Sequence, residues 1–262
     1  MKRVLWRSIL NRICRPHSKI IRTLNPVIAL FGVLYLLILC FPEAVFAHSL
    51  SYKHFQVYAT TLVTPRIRAV LDETDRKLTA SPINDPSITH HLFLCPNRAA
   101  FGALYPVGVH ALAFNVPVVH NIFVRPANIS QDIFLRDEGP ARASILNGTR
   151  TLGGTLAHEC THTLLENRFG FVGCRAMPAW KNEGYCDYVA DQHAYDAVLG
   201  LSLLRRRRSD PAPAFVYFKY WLAVKYLMDV RKLTVDQLIS DTESLDEVVA
   251  KAISASVTPL RH

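Results

Sequence analysis

The stretch LAHECTHTLL, Leu156 to Leu165, places two histidines four residues apart with a glutamate directly after the first. On a helix, residues i and i+4 stand one above the other, so His158 and His162 present their imidazoles to one point. Glu159 lies about 100° further round, where it reaches a water beside a bound ion rather than the ion itself. The chemistry this suits is zinc-assisted hydrolysis: three protein ligands fix the metal, a fourth position stays open for water, and a carboxylate moves the proton. The plainer alternative is an amphipathic helix with two partly exposed histidines, and a third ligand separates the two. Leu165 and Arg168 stand where a glycine and a third histidine would follow on the same helix, so that ligand has to come from elsewhere. Downstream, MPAWKNEGYCDYVADQ supplies Glu183, with twenty residues between it and His162. Asp187, one turn further along the same face, is placed to accept the free ring N–H of His158, fixing its tautomer and raising its basicity. Gly184 allows this helix and the motif helix to approach closely, and both Glu159 and Asp187 are expected to face a cleft rather than the core. For the two acids of the second helix, an exposed acidic face is the alternative.

HECTH, followed after twenty residues by NEGYCD and introduced by PAW, resembles the gluzincins, the zinc metallopeptidases typified by thermolysin and by aminopeptidases with a W-x-x-E-G helix. The resemblance runs roughly from Asn115 to Asp241 and is most specific at His158, Glu159, His162, Trp180, Glu183 and Gly184. It implies one zinc held by His158, His162 and Glu183, with Glu159 as general base. It also implies a zincin-like fold in which the NVPVVHNIFVRP strand lies at the cleft edge, where an extended peptide can pair with it. The exopeptidase signature G-x-M-E-N is absent from the sequence, so an endopeptidase acting on peptides or proteins is expected. The likeness is to compact, membrane-associated members of the clan. A donor for the oxyanion is sought among Tyr217, Tyr220 and Tyr226 on a late apolar helix, where core packing is the alternative role.

The elements that must position these residues read as an α+β domain, mixed strands first and helices after. A helix is expected from about Pro65, with Ile67, Val70, Leu71 and Leu78 on one face. ITHHLFLC reads as a short strand ending at Cys95, and PNRAAFGALYP as a helix with its proline in the first turn. NVPVVHNIFVRP reads as one strand that Pro117 confines to a sheet edge or to the strand's beginning. After the loop DEGPARASILNGT comes the motif helix, with Thr149 or Thr151 as cap and Gly170 as stop. A second helix starts near Pro178, and FVYFKYWLAVKYLMDV is a strongly apolar third, followed by shorter ones near Val235 and Leu245.

The formal charge of +9 does not describe a nucleic-acid binder. Residues 1–47 hold seven of the 30 basic side chains and one of the 21 acidic ones, which leaves 23 against 20 beyond them. The excess belongs to an N-terminal arm rather than to one face of a domain. In that arm a basic stretch to Arg22 precedes fifteen uncharged residues, Val27–Phe41, and then PEAVFA. This reads as a single-pass signal-anchor or as a signal peptide cleaved after Ala47, and in either case residues 48–262 lie outside the membrane. Of the six cysteines, Cys95, Cys160, Cys174 and Cys186 lie in that outer part. A Cys160–Cys186 or Cys174–Cys186 bridge and plain buried thiols are alternatives. The run Arg205–Arg208 reads as a solvated loop, with lipid headgroups as its other use, and His193 as a surface residue or a substrate contact. Two functions follow: an extracytoplasmic zinc endopeptidase, or a non-catalytic, zinc-containing envelope module on the same fold. Glu159 favours the first, because holding zinc does not need a base there.

Overall fold

In the computed structural model, which describes residues 15–108, 111–135, 150–193 and 195–257, the apolar run and the motif helix fall in separate units, Met1–Val45 and Phe46–His262. Helix α1 (Arg15–Cys40) contains Pro26 and is followed by a 3₁₀ turn, Pro42–Ala44. Ile28, Phe31, Leu34 and Leu37 of α1 are exposed. Among the described residues no helix is long and apolar enough to cross a membrane. Cys40, Cys95, Cys160, Cys174 and Cys186 are free, so neither of the two bridges considered above is formed.

The second unit is α+β. Its sheet has the order β1 (His48–Tyr52), β2 (Phe55–Ala59), β3 (His90–Leu94), β5 (Asn121–Val124), β4 (Ala113–Val116). β2, β3 and β5 run parallel, while β1 and the opposite edge β4 are antiparallel to their neighbours. Alternation along these strands sorts their side chains onto two faces. One face carries Val57, Leu92 and Ile122 into the core, against α2 (Ile67–Thr79) and the motif helix α4 (Leu152–Ala176). The other carries a row of cross-strand aromatic pairs, Tyr58–Phe93, Phe93–Phe123 and Phe123–Phe114, with centroids 4.7, 5.2 and 5.1 Å apart. In α2, Ile67, Val70, Leu71 and Leu78 are buried as their spacing predicts.

Two local readings are corrected. NVPVVHNIFVRP is not one strand but a hairpin, β4 and β5 joined by Pro117–His120, so Pro117 opens the turn and does not interrupt an edge strand. Val118 takes φ 72° there and Val119 N–H donates to Pro117 O at 2.9 Å, a tight turn that a branched residue adopts only under external constraint. The constraint is Glu166 of α4, whose Oε1 accepts the Val118 N–H at 2.9 Å. The helix after Cys95, α3 (Arg98–Leu104), is capped by the Asn97 side chain accepting from Ala100 N–H, so Pro96 precedes its first turn. A two-stranded ribbon, β6 (Ala127–Asn128) and β7 (Ile133–Phe134), follows β5. After α4 come α5 (Ala179–Val189), α6 (Ala197–Arg205), α7 (Pro213–Lys225) with a π-turn Tyr226–Val230, α8 (Val235–Ser240) and α9 (Leu245–Val257).

The start of β3 makes the stability of this fold acid-sensitive. His90 is 1% exposed, stacks on Phe55 and, among the described residues, has no hydrogen-bond partner at either ring nitrogen. Burial first, and then the nearby His54, His120 and His91, push its pKa down from 6.5 to about 3. A depressed folded-state pKa contributes stability that is present above pH 6.5 and is lost as the pH falls toward 3. The loss expected across that window is of the order of 4 kcal/mol. Denaturant titrations across this range should show it, and His90→Leu should flatten that part of the profile. An unchanged profile in the variant would remove His90 as its source.

Candidate metal centre

α4 starts where three of its otherwise unpaired N–H groups find acceptors. Thr151 caps it by accepting from Gly154 N–H at 3.1 Å, while Asp132 accepts from Gly153 N–H through its carboxylate and from Leu152 N–H through its backbone. Thr149, the other expected cap, lies outside the described residues. At Gly153 the helix crosses α2 so closely that an added Cβ would stand 3.2 Å from Val70 O. The helical path breaks at Gly170 (φ 73°, ψ 162°), a backbone conformation that glycine alone adopts readily. Between these ends the motif turn is buried: His158 is 6% and Glu159 8% exposed, and Cys160 lies in the core on the side away from the histidines. His162 is the more open of the two histidines, with 22% of its side chain exposed.

α5 supplies the other half of the site. Glu183 Oε2 stands 3.3 Å from His158 Nε2 and Glu183 Oε1 3.8 Å from His162 Nε2. On the far side of each ring the Nδ1–H donates to an acceptor on α5, Asp187 Oδ1 at 2.7 Å for His158 and Asn182 Oδ1 at 2.9 Å for His162. Both Nε2 atoms are thereby aimed at the side where Glu183 stands. Cys186 reaches the same cluster, with Sγ 3.4 Å from His162 Nδ1, and His158, His162 and Cys186 form a buried group that can hold a metal ion.

Electrostatics describe a place that attracts positive charge. Burial lowers the pKa of His158, but the charge and hydrogen bond of Asp187, followed by those of Glu183, hold it up at about 10. Burial works upward on Glu183, and the hydrogen bond from His158 with the charges of His162 and His158 brings it down to about 2. The Glu159 carboxyl is raised by its burial, against the charges of His158 and His162. Burial likewise pushes the Cys186 thiol well above its ordinary value.

Asp187 does not face an open cleft; it is fully buried and also accepts from Arg150 Nη2 at 2.7 Å through both oxygens. Gly184 does admit a close approach, but to α7: an added Cβ would stand 2.6 Å from Tyr220 O. Of the three tyrosines, Tyr217 is 37% exposed, and desolvation of its hydroxyl with the charges of Glu183 and Asp187 raises that group to about 12. The Tyr220 ring packs beside it at 5.8 Å. Tyr226 is nine residues along from Tyr217, roughly 13 Å of helix, and lines a hollow with Ala250, Lys251 and Ser254 of α9. His193 is half-buried, its ring against Trp221 with centroids 4.5 Å apart.

Sequence reasoning missed Arg150, Asn182, Cys186 as a member of the cluster, and Asn115. Asn182 carried a signal, because the second histidine needs a ring partner as much as the first and Asn182 directly precedes Glu183. Asn115 on the edge strand donates to Glu159 O at 3.1 Å and to Thr163 Oγ1 at 2.8 Å, which fixes β4 along α4. Arg150 had no signal: thirty-seven positions separate it from Asp187.

Asp187→Ala therefore removes a partner from His158 and from Arg150 together. Metal affinity should fall by about 10–100-fold. Stability should also drop, by up to roughly 3–5 kcal/mol, because Arg150 keeps its charge with little access to water. Competition with a chelator and a thermal melt measure the two separately. Unchanged affinity would take Asp187 out of the site.

No protein-family model matches the chain, and no curated protein is similar to it in sequence.

Proposed function

We propose that this protein is a zinc-dependent peptidase of the gluzincin type, with a zincin-like domain that hydrolyses peptide bonds outside a membrane. The observation that carries the reading is the convergence of His158 Nε2, His162 Nε2 and the Glu183 carboxylate, 3.3 and 3.8 Å apart. Ligand atoms tetrahedrally placed at zinc bond lengths of about 2.0–2.1 Å lie roughly 3.3–3.4 Å from one another, so the donor set fits that ion. Zinc held there supplies Lewis acidity, acidifying water and polarising a carbonyl. Glu159 takes the proton from the attacking water and returns it to the leaving nitrogen, and the rise in its pKa through burial suits it to both steps. Asp187 and Asn182 hold the two imidazoles with Nε2 forward. Tyr217, whose hydroxyl feels the charges of Glu183 and Asp187, would donate to the oxyanion. β4, the free edge of the sheet and tied to α4 by Asn115, offers its backbone to an extended substrate.

A second reading has its own observation, Cys186. Were its thiolate to join His158, His162 and Glu183, four protein ligands would close the site and leave a non-catalytic zinc module. The geometry weighs against it. Cys186 lies on the Nδ1 side of His162 and not on the side where Glu183 stands, and Asn182 already accepts from that Nδ1. The test is metal analysis of the full chain together with cleavage of a diverse peptide library. About one zinc per chain with cleavage is expected; zinc with no cleavage across the library would put the closed site ahead.

A further inference from the structure

We propose that the turn between α6 and α7 docks on an anionic lipid surface, its arginines at the headgroups and Val198 and Leu199 at the acyl boundary. α6 uses its inner face for the fold: Leu201, Leu203 and Leu204 pack against Phe215 and Phe218. Gly200 is the crossing point, since an added Cβ would stand 2.4 Å from the Phe218 ring. At 3.6 residues per turn, Val198, Leu199, Ser202, Arg205 and Arg206 share the outer face. Val198 is 80% and Leu199 50% exposed. Aliphatic groups thus occupy one end of this face and guanidinium groups the other. Arg206, Arg207 and Arg208 are exposed, and none makes an ion pair among the described residues.

The backbone adds an independent observation. Arg207 N–H donates to Leu204 O at 3.0 Å and Arg208 N–H to Leu203 O at 2.9 Å, closing the helix in the pattern that places one residue in the left-handed region. That residue is Arg207, at φ 53°. Glycine takes this conformation without the strain that any side chain brings, so a charge stands where the local chain favours no side chain at all. Charge alone would attract any polyanion. The exposed aliphatic pair on the same face is served only by an interface with anionic headgroups above and hydrocarbon below. The inference rests on this surface and not on the peptidase reading.

The experiment follows amide hydrogen exchange of residues 197–217 in the full chain, mixed with vesicles of phosphatidylcholine or of phosphatidylcholine with phosphatidylglycerol. Reading this segment, rather than total binding, separates it from any insertion of α1. Exchange should slow with the anionic vesicles only, and raised salt should reverse it. Arg207→Gly should weaken docking about fivefold, the contribution of one basic side chain near such a surface. The same variant should raise the melting temperature of the free protein, because glycine relieves the left-handed position; a merely structural turn would show that gain without the loss of docking. Arg206→Ser, Arg207→Gly and Arg208→Ser together should weaken docking by about a hundredfold. Equal protection by neutral vesicles, or none by either kind, would overturn the proposal. So would protection by polyglutamate or polyuridylate with no vesicle effect, which would assign the patch to a protein or an RNA.

Discussion

Glu159→Gln is expected to lower peptide hydrolysis by roughly 10²–10⁴-fold, the usual loss when a positioned acid–base group is removed, while zinc stays bound. The substitution keeps the volume and shape of a side chain that is 8% exposed, so the packing of α4 should be undisturbed. It leaves His158, His162 and Glu183 untouched, along with the Asp187 and Asn182 hydrogen bonds behind the two rings. What it removes is, among the described residues, the carboxylate beside the cluster that is not held by a ring nitrogen, and an amide cannot take a proton at working pH. Single-turnover cleavage with zinc analysis on the same sample checks this. Unchanged cleavage with full zinc would mean that the base lies elsewhere and that the proposed chemistry is wrong.

Loss of the metal is the second large effect. His158→Ala, His162→Ala and Glu183→Ala should each reduce bound zinc from about one per chain to little or none after dialysis. A structural zinc site is worth about 10–16 kcal/mol, so one ligand of four accounts for roughly 3 kcal/mol, a hundredfold or more in affinity. Cys186→Ser is the discriminating companion. With Glu183 as the third ligand it should keep its zinc, because Sγ faces the Nδ1 side of His162. Zinc lost by Cys186→Ser but kept by Glu183→Ala would exchange the two residues and close the site. Circular dichroism of each variant separates metal loss from unfolding. His162→Ala is the cleaner of the two histidine variants, since its side chain is 22% exposed whereas that of His158 is 7%.

The amino-acid sequence by itself determined what is local. Two histidines at i and i+4, a threonine cap and a terminating glycine lie within one continuous stretch, Thr151 to Gly170, and helix geometry alone turns that spacing into a shared face. The burial pattern of α2 and the α+β order of elements are local in the same sense. Tertiary structure decided the rest. Pro117 reads as an edge-strand residue or as the start of a strand; that it opens a turn instead is fixed by Glu166, which pins the Val118 N–H from a different element. Gly184 announced a close approach between the two site helices, and packing gave that approach to α7 instead. Asp187 was legible as the orienter of His158, yet it is also the partner of Arg150, and no periodicity connects residues thirty-seven positions apart. Helix spacing repeats every 3.6 residues and can be read along the chain; a contact between elements exists only once the core has set their crossing, and the single positions that meet there leave no repeat behind.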